Sequence, residues 1–323
     1  MSRLTNNKGL DLSVAVWLAH STYDLESREN LISVTTLLKP IRQTILASRL
    51  PEEAKVTDVY DLFKSQLGNA IHDAIERSWK EGYAASLGRL GIPENVVNKF
   101  RINPKQDEPD TLPVYTEIRA EKQVGKFTIS GKFDISLTGH LRDIKSTNVF
   151  VYQNGGHTDK WVMQGSMYRW LSPGIIQHDD FIVQYILLDW NSGTAGRDPN
   201  YPTHALPVRS FTLKSLQETE RWVQNQLSLL EKYFNAPESE LPECSDEDLW
   251  RTDPVYKYYS DPAATGRSTK NFDNLNDAMM HKANKGKGRV DTVPGQVKAC
   301  LYCEAYSLCT QKDRLIEEGS LRP

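Results

Sequence analysis

The residues with the clearest potential for chemistry are two aspartates and a lysine in the segment 125–147. Asp134 falls in one predicted strand. Asp143 and Lys145 fall in the next, two residues apart and therefore on one face. Facing carboxylates repel unless a cation lies between them, and Mg²⁺ binds oxygen ligands while keeping several waters. The three residues predict a site for Mg²⁺ or Mn²⁺, in which Lys145 orients or helps deprotonate an attacking water, or stabilises the developing charge.

The register of this hairpin decides whether the two aspartates meet. A two-residue turn at Thr138 and Gly139 places Asp134 directly opposite Asp143. A three-residue loop would put the two carboxylates on opposite faces of the sheet. The alternative to a metal site is a solvated surface ion pair, because Asp-x-Lys is common on exposed strands and such pairs need no function.

A second group of residues that could bind a metal is formed by cysteines. Cys300, Cys303 and Cys309 have the spacing C-x2-C-x5-C, and Cys244 is the one other cysteine in the sequence, which makes it the natural fourth ligand. Four thiolates suit Zn²⁺ or an iron–sulfur cluster. The N-terminus carries no secretory signal pattern, so clustered cysteines indicate a metal site rather than disulfides. Incidental free cysteines are the remaining alternative, and His281 is a spare candidate ligand.

Helices and strands must alternate along the chain to position these groups. Helices are predicted over 31–50 (interrupted at Pro40), 59–83, 161–171 and 216–234, and strands over 114–121, 127–137, 141–147, 181–190 and, more weakly, 208–213. In the second helix, apolar residues recur every four positions and predict one buried face: Leu67, Ile71, Ile75 and Trp79. The run 181–190 is nearly continuously apolar, which is typical of a strand buried on both faces.

Composition sets the limits of the interpretation. The chain has 323 residues, of which 39% are hydrophobic and 25% charged, which is ordinary for a globular protein of one large or two small domains. No apolar run is long enough to cross a membrane. With 39 basic and 42 acidic residues the net charge is −3, which excludes a broadly basic DNA coat but allows a local basic channel.

The hairpin resembles the core of the PD-(D/E)XK nuclease superfamily, and specifically its RecB/AddB-like branch. Residues 131–134 (Gly-Lys-Phe-Asp) and 143–147 (Asp-Ile-Lys-Ser-Thr) are similar to that family's G-x-x-D and D-x-K-[ST] motifs. Upstream, residues 68–76 resemble the G-x-x-x-H-x-x-x-E helix, whose histidine is a metal ligand in that branch. The resemblance therefore implies that His72 binds the metal together with Asp134 and Asp143. The chain is similar overall to small phage-encoded exonuclease-like members of the group.

Two further residue sets match the same family in the expected order. Glu117 resembles the acidic residue of the first core strand, where it would support the metal or the attacking water, and Glu121 competes for that role. Gln164 and Tyr168 resemble the Q-x-x-x-Y motif, which would orient Lys145 or contact a DNA strand. Each of these residues also has an alternative interpretation without a function. Glu117 could be a solvated strand residue, and Gln164 and Tyr168 could simply pack in a helix. His72 could pair with the residue four positions along its helix or pack against the backbone.

The cysteine spacing resembles the iron–sulfur clasp of AddB-like and CRISPR-adaptation nucleases, which implies a [4Fe–4S] cluster, with Zn²⁺ as the alternative. Those families often place the first cysteine before the nuclease core, whereas the corresponding helix here reads Lys-Pro-Ile-Arg at 39–42. The clasp is therefore expected to close within the C-terminal region. Between Cys244 and Cys309, a basic segment with Lys285, Lys287 and Arg289 could follow DNA phosphates, or could be a solvated loop.

The sequence thus predicts an α/β protein: a restriction-endonuclease-like mixed central sheet flanked by helices, with a small C-terminal cysteine-clasped lobe. The expected divisions are an N-terminal segment 1–30, a nuclease core 31–236 and a lobe 237–323. The expected function is that of a Mg²⁺- or Mn²⁺-dependent DNA exonuclease in recombination, repair or replication. A structure-specific endonuclease and a non-catalytic DNA-end binding module are the alternatives.

The same interpretation predicts the surroundings of the protein. The expected partner is DNA, preferably single-stranded or with frayed ends, because a paired base hides its stacking face. A recombination or single-strand-annealing protein is expected as a further partner, and no membrane. The expected location is the cytoplasm, which would be the host cytoplasm if a phage encodes the protein.

Overall fold

The computed structural model of the protein describes residues 3–20, 28–106, 108–155 and 158–323. The chain forms two compact units. The first comprises Met1–Leu38 and Val56–Ser228, and the second comprises Lys39–Lys55 and Leu229–Pro323. The second unit therefore includes residues 39–55 as well as the C-terminal region in which the cysteine lobe is predicted. Within the described ranges, no helix has both the length and the apolarity needed to span a bilayer.

Strands and helices alternate through most of the chain. The strands are β1 (Arg3–Thr5), β2 (Leu31–Ser33), β3 (Val56–Asp58), β4 (Phe100–Ile102), β5 (Leu112–Val124), β6 (Phe127–Leu137), β7 (His140–Thr147), β8 (Asp180–Leu187), β9 (Val208–Thr212), β10 (Val255–Tyr259), β11 (Lys270–Phe272) and β12 (Arg289–Val293). The helices are α1 (Leu12–Ala19), α2 (Val34–Leu37), α3 (Ile41–Ser48), α4 (Phe63–Glu81), α5 (Tyr83–Arg89), α6 (Glu94–Val97), α7 (Val149–Asn154), α8 (Thr158–Leu171), α9 (Ser192–Ala195), α10 (Leu216–Tyr233), α11 (Leu275–Lys285) and α12 (Thr310–Glu317).

The first unit is built on a seven-stranded sheet with the order β4-β5-β6-β7-β8-β9 and with β2 paired to β6. The β5/β6, β6/β7 and β8/β9 pairs are antiparallel, whereas the β2/β6, β4/β5 and β7/β8 pairs are parallel. The sheet is therefore mixed, and the predicted α/β fold class with a mixed central sheet is confirmed.

Helices cover both faces of this sheet. On one face, Ile71, Ile75 and Trp79 of α4 pack against a buried cluster that includes Ile144 of β7, which confirms the predicted apolar face of the helix. On the other face, Gly165 brings α8 close to Leu141 of β7, since a Cβ at this glycine would lie 3.1 Å from Leu141 Cδ2. Leu141 and Ile144 have opposite parity in β7, so α8 and α4 lie on opposite sides of the sheet.

The β6–β7 turn has the predicted two-residue length. Leu137 pairs with His140, and both turn residues have positive φ, 50° at Thr138 and 82° at Gly139. Positive φ at both central positions is the geometry of a type I′ turn, which matches the twist of antiparallel strands. The register therefore places Asp134 level with Asp143, as the hairpin pattern predicts.

The sheet forks beside these two aspartates. Pairing between β6 and β7 ends at Ile135 and Arg142, and further back along the same edge of β6 the partner is β2, at 128–130 of β6. On the other edge of β6, the pairs on either side of Glu117 are made but Glu117 itself is skipped, because its φ is 54°. The hydrogen-bond ladders on both edges of β6 are thus interrupted at Asp134.

The predicted helix over 31–50 is corrected by the structure. Residues 31–33 form β2, residues 34–37 form α2, and α3 begins only after Pro40. Ser33 caps α2 by accepting the Thr36 N–H at 3.0 Å, and a proline disfavours helical geometry in the residue before it. Pro40 therefore divides the segment, and α3 belongs to the second unit while α2 belongs to the first.

The second unit has a small sheet and a separate apolar cluster. The sheet has the antiparallel order β11-β10-β12 and contacts α11. The cluster contains Leu249, Val297, Leu315 and Leu321, and two of the cysteines, Cys244 and Cys300, pack against it. The cysteine-bearing segments are therefore part of a folded core.

Candidate active site and cysteine cavity

His72 reaches the fork from α4. Its Nδ1 lies 3.4 Å from Asp134 Oδ1 and 3.9 Å from Glu117 Oε1, while its Nε2 lies 3.1 Å from the carbonyl oxygen of Ile144. Without a cation, burial lowers the pKa of His72, but the hydrogen bond to Asp134 and the nearby carboxylate charges outweigh it and raise the pKa, so a protonated Nδ1 donates to Asp134. With a divalent cation bound, a neutral histidine that keeps its Nε2–H on the Ile144 carbonyl would present an unprotonated Nδ1 to the cation. A backbone carbonyl that fixes the second ring nitrogen in this way is the usual support of a metal-binding histidine.

Asp134 is held in the sheet by its own carboxylate. Its Oδ2 accepts the backbone N–H of Ile144 at 2.9 Å, which supplies that donor with a partner where the β6–β7 ladder has stopped. Its Oδ1 is left to face His72. Burial raises the pKa of Asp134, but the hydrogen bond and charge of His72, with the charge of Lys145, outweigh it and lower the pKa overall. Asp134 is therefore a carboxylate at neutral pH.

Asp143 and Lys145 form an ion pair on the α8 side of the fork. Lys145 Nζ lies 3.0 Å from Asp143 Oδ1 and 2.8 Å from Oδ2, and 3.4 Å from Gln164 Oε1. Gln164 Nε2 in turn donates to the Tyr168 hydroxyl at 2.8 Å. The Gln–Tyr pair predicted to orient Lys145 is therefore brought into contact with it by α8.

The carboxylate of Asp143 is poorly compensated for its burial. The side chain is only 4% exposed, and its Oδ2 has no hydrogen-bond partner within the described ranges, even though the ammonium of Lys145 is close. Burial raises the pKa of Asp143 to about 6, and the charge of Asp134 acts in the same direction, against the opposing effect of Lys145. A buried carboxylate that is balanced by a single lysine and has a raised pKa would be stabilised further by a nearby divalent cation.

Glu117 completes the group in a strained backbone conformation. Its φ of 54° is uncommon for a residue other than glycine and costs on the order of 1–3 kcal/mol. The carboxylate is paired with the Lys132 ammonium, and burial raises its pKa. This backbone geometry directs the side chain toward His72 instead of leaving it in the regular alternation of the strand.

The structure brings three candidate metal ligands close together. Ligand atoms of His72, Glu117 and Asp134 all lie within 4.8 Å of one another. The predicted metal ligands are His72, Asp134 and Asp143. In the structure, Glu117 joins His72 and Asp134 in this group, whereas Asp143 pairs with Lys145. Carboxylate oxygens suit Mg²⁺ and Mn²⁺, and a single imidazole is compatible with Mn²⁺. The donor set of His72, Glu117 and Asp134, with the buried Asp143 carboxylate nearby, fits a divalent cation.

The four cysteines line one cavity of the second unit, together with Arg42 of α3. Burial raises the pKa of the Cys244 thiol to about 12 and that of the Cys300 thiol to about 11, and nearby acidic and cysteine side chains add to the effect. Gln311, 5% exposed, braces the site: its Oε1 accepts the Cys244 N–H at 2.9 Å and its Nε2 donates to the Cys244 carbonyl at 3.0 Å. Crowded buried thiols of this kind are stabilised as thiolates by a bound metal.

Four cysteines around one cavity form a thiolate set that suits either an iron–sulfur cluster or Zn²⁺. The spare candidate His281 packs against the rings of Tyr258 and Phe272 and does not line the cavity.

The predicted DNA-binding residues of the basic segment have unequal surroundings. Arg289 pairs with Asp291 at 3.0 Å, donates to the carbonyl of Ala264 at 2.7 Å, and lies over the ring of Tyr259. Its guanidinium therefore stabilises the small sheet. Lys285 at the end of α11 and Lys287 just after it have exposed side chains, and their contact with DNA stays a prediction.

Arg42 and the conformation of Glu117 are the features that sequence reasoning missed. The helix carrying Arg42 is visible in the sequence as the place where similar families put a cysteine, and that was the available signal. Nothing in the sequence around Glu117 indicates a positive φ, because glutamate rarely adopts one.

Comparison with known proteins gives distant similarities alone. No family model matches the sequence, and no curated protein matches it. Among solved structures, one called SSO0001 has a TM-score of 0.40 and 16% identity, covering 69% of this chain and 87% of that one. A phage related exonuclease from Haemophilus somnus 129PT has a TM-score of 0.27 and 13% identity, covering 63% of this chain and 96% of that one.

Proposed function

We propose that the protein is a divalent-cation-dependent nuclease that hydrolyses DNA phosphodiester bonds from an end. The observation that carries the proposal is the convergence of His72, Glu117 and Asp134 at the fork, beside the buried Asp143–Lys145 pair. Elements on both sides of the sheet meet at one point where the strand ladders are interrupted. A structural core has no need of this concentration of titratable groups, whereas phosphodiester hydrolysis needs a metal, a nearby cation and a water.

The residues of the fork divide the work between them. When bound there, a divalent cation would supply charge for the phosphate and lower the pKa of a water. Burial lowers the pKa of Lys145, but Asp143 and Asp134 outweigh it and raise the pKa overall, so Lys145 keeps its proton. A protonated lysine favours stabilisation of the developing phosphate charge over removal of a proton from water. Gln164 and Tyr168 hold its ammonium in position.

The expected mode of DNA binding is independent of sequence and favours ends. The basic residues predicted to contact DNA form no helix arranged to read bases in the major groove, so binding is expected to be independent of sequence and to weaken with salt. Single-stranded or frayed ends expose base faces for stacking, for which Trp161 is a candidate. The predicted contact of Tyr168 with DNA is wrong, because Tyr168 is only 7% exposed and its ring packs against Phe133.

A digest of matched substrates tests the proposal. Linear DNA and covalently closed circles of the same sequence, single- and double-stranded, are incubated with the protein and Mg²⁺ or Mn²⁺. Progressive shortening of linear DNA with survival of circles supports the exonuclease. Rapid cutting of circles would replace it with a structure-specific endonuclease, and tight end binding without degradation would replace it with a non-catalytic module.

For the cysteine cavity we propose a [4Fe–4S] cluster, with Zn²⁺ as the alternative. The support is the presence of all four cysteines around one cavity, together with a C-x2-C-x5-C spacing that resembles an iron–sulfur clasp. Anaerobically purified protein should be brown and contain iron and acid-labile sulfide. Colourless protein with stoichiometric zinc would replace the cluster with a zinc site.

A further inference from the structure

Arg42 is a buried cation in contact with one of the four cysteines. The side chain is 4% exposed, and its Nε donates to Cys309 Sγ at 3.3 Å. Nη1 donates to the carbonyl of Leu241 at 3.1 Å, Nη2 donates to Thr310 Oγ1 at 3.3 Å, and the Glu238 carboxylate pairs with the guanidinium. Each nitrogen of the guanidinium thus has a partner, and these contacts fix its position in the second unit.

The same hydrogen-bond network also holds Thr310, the residue that follows Cys309. Glu238 Oε1 accepts the backbone N–H of Thr310 at 3.1 Å, and the Thr310 hydroxyl donates to Glu238 Oε2 at 2.8 Å. Thr310 follows Cys309 directly and begins α12. Arg42 therefore fixes the sulfur of Cys309, while Glu238 fixes the backbone of the next residue.

The Glu238 carboxylate balances the charge of the guanidinium, and a thiolate at Cys309 would be a second anionic partner. Glu238 divides its oxygens between Arg42 and Thr310, and the remaining contacts of Arg42 are neutral except for the sulfur. Arginine stays protonated even when buried, and a hydrogen bond from a cation to a thiolate is stronger than one to a thiol. The geometry is thus suited to a thiolate at Cys309, which is the form that binds a metal.

We infer that Arg42 is a positioning residue of the cysteine centre, which orients the Cys309 thiolate and tunes the electronic properties of the metal group bound to it. The inference rests on the proposed metal centre of the cavity. Hydrogen bonds to ligand sulfurs and nearby charge are among the features by which a protein sets the reduction potential of an iron–sulfur cluster. An N–H donor that carries positive charge favours the reduced, more negative state and so raises the potential.

This role also gives α3 a reason to belong to the second unit. The helix lies in sequence far from the cysteines, yet residues 39–55 are grouped with 229–323. A cysteine at the start of the clasp would tie this helix to the metal by a covalent bond. Here Arg42 makes the connection through a hydrogen bond to Cys309 instead.

The test compares Arg42→Gln and Arg42→Lys with Arg49→Gln in the full chain, purified and reconstituted anaerobically. Arg49 is a matched control at the end of the same helix, since it also donates to backbone carbonyls, Phe234 O at 3.0 Å and Ala236 O at 2.6 Å, but is exposed. The readouts are the midpoint potential by spectroscopic titration, and the rate of iron loss to a chelator. Circular dichroism of each variant checks that it is folded.

We expect Arg42→Gln to lower the midpoint potential and to speed iron loss about tenfold or more, as outer-shell changes commonly do. Arg42→Lys keeps the charge but loses the planar set of guanidinium donors. Its midpoint potential and rate of iron loss should fall between those of wild type and Arg42→Gln, and this variant carries the test if Arg42→Gln does not fold. Arg49→Gln should match wild type. A loaded, folded Arg42→Lys or Arg42→Gln protein with wild-type potential and wild-type iron retention would overturn the role of Arg42 while leaving the metal centre intact.

Failure of the metal centre itself is recognised in the wild-type protein. If wild type takes up no iron, Co²⁺ is added as a spectroscopic probe for a zinc-type thiolate site. Co²⁺ binding that Arg42→Gln weakens about tenfold or more supports the same positioning role at a single-ion site. Wild-type protein that binds neither iron nor Co²⁺ overturns both the centre and the inference.

Discussion

The carboxylate of Asp134 accepts the backbone N–H of Ile144 at 2.9 Å, one residue beyond Asp143 in the neighbouring strand. A side chain thus substitutes for the main-chain acceptor that a continued ladder would provide. This single hydrogen bond lets the strands separate without leaving a buried N–H unsatisfied, which would cost about 1–3 kcal/mol. It also leaves the second oxygen of Asp134 facing His72. The same hydrogen bond therefore allows the strands to separate and orients Asp134 within the ligand group.

The ammonium of Lys145 is expected to act on the chemical step rather than on DNA binding. Lys145→Ala should reduce the rate of hydrolysis by about 10²–10³, the usual range for loss of one group that stabilises transition-state charge, with little change in DNA affinity. Single-turnover rates and DNA-binding titrations measure the two effects. Lys80→Ala is the control, because Lys80 on α4 pairs with Glu76 and is partly exposed. Equal activity of Lys145→Ala and Lys80→Ala would show that the reaction occurs elsewhere.

His72 is expected to determine the affinity for the cation. His72→Ala should weaken Mn²⁺ binding about tenfold or more, since even an outer-shell partner of a metal typically contributes that much. Glu76→Gln is the matched control, because this residue lies one turn further along α4 and pairs with Lys80 instead of the fork. Calorimetric titration with Mn²⁺ gives both affinities. A histidine variant that binds Mn²⁺ as tightly as wild type would exclude His72 as a ligand.

The stability of the metal-free protein should depend on pH through Asp143. Its pKa is raised to about 6 in the folded state, so the folded protein holds this proton more tightly than the unfolded chain. That stabilisation is fully present below the ordinary aspartate pKa of about 3.9 and is lost as the pH rises through about 6. The raised pKa of His72 acts in the same direction.

The measurement is thermal unfolding at pH 5.5 and pH 7.5, with and without Mn²⁺. Mn²⁺ should raise the melting temperature more at pH 7.5, because the cation binds the carboxylate form and replaces the lost proton. Asp143→Asn removes the titrating group and should reduce the difference between the two pH values. A larger effect of Mn²⁺ at pH 5.5 would contradict this account of Asp143.

The cysteine centre is expected to stabilise the second unit. Cys303→Ser should lower the free energy of unfolding of the loaded protein by about 4 kcal/mol, since loss of a metal is among the largest single-site effects. The chemistry at the fork should change less. Differential scanning calorimetry of anaerobic samples, with nuclease assays alongside, compares the two effects. Unchanged stability together with unchanged iron content would remove Cys303 from the centre.

The hairpin could be predicted from the sequence because its determinants are local. Alternation with a period of two places Asp143 and Lys145 on one face, and the Thr-Gly pair limits the register to a two-residue turn or a three-residue loop, of which the structure adopts the first. The central sheet was likewise predictable from apolar runs separated by turn residues. The apolar positions of α4 recur at helical spacing, and they pack where that spacing requires.

The remaining features depend on tertiary placement. The segment 31–50 reads as an apolar helix interrupted at Pro40, yet residues 31–33 form a strand and the two halves join different units, which no local pattern records. Glu117 has a backbone conformation that its own propensity opposes, so the surrounding fork must impose it. Arg42 lies in sequence far from Cys309, and only the folded chain brings the guanidinium to the sulfur.

The most direct test of the central claim is the metal dependence of DNA degradation by the wild-type protein and by Asp143→Asn. Protein stripped of divalent cations is incubated with end-labelled linear DNA while Mn²⁺ is titrated, and label release is followed with time. Wild type should release label only when Mn²⁺ is present and should stop when a chelator is added, and Asp143→Asn should bind the DNA without releasing label. Release by wild type in the chelator, or equal release by Asp143→Asn, would contradict a metal-dependent nuclease centred on this fork.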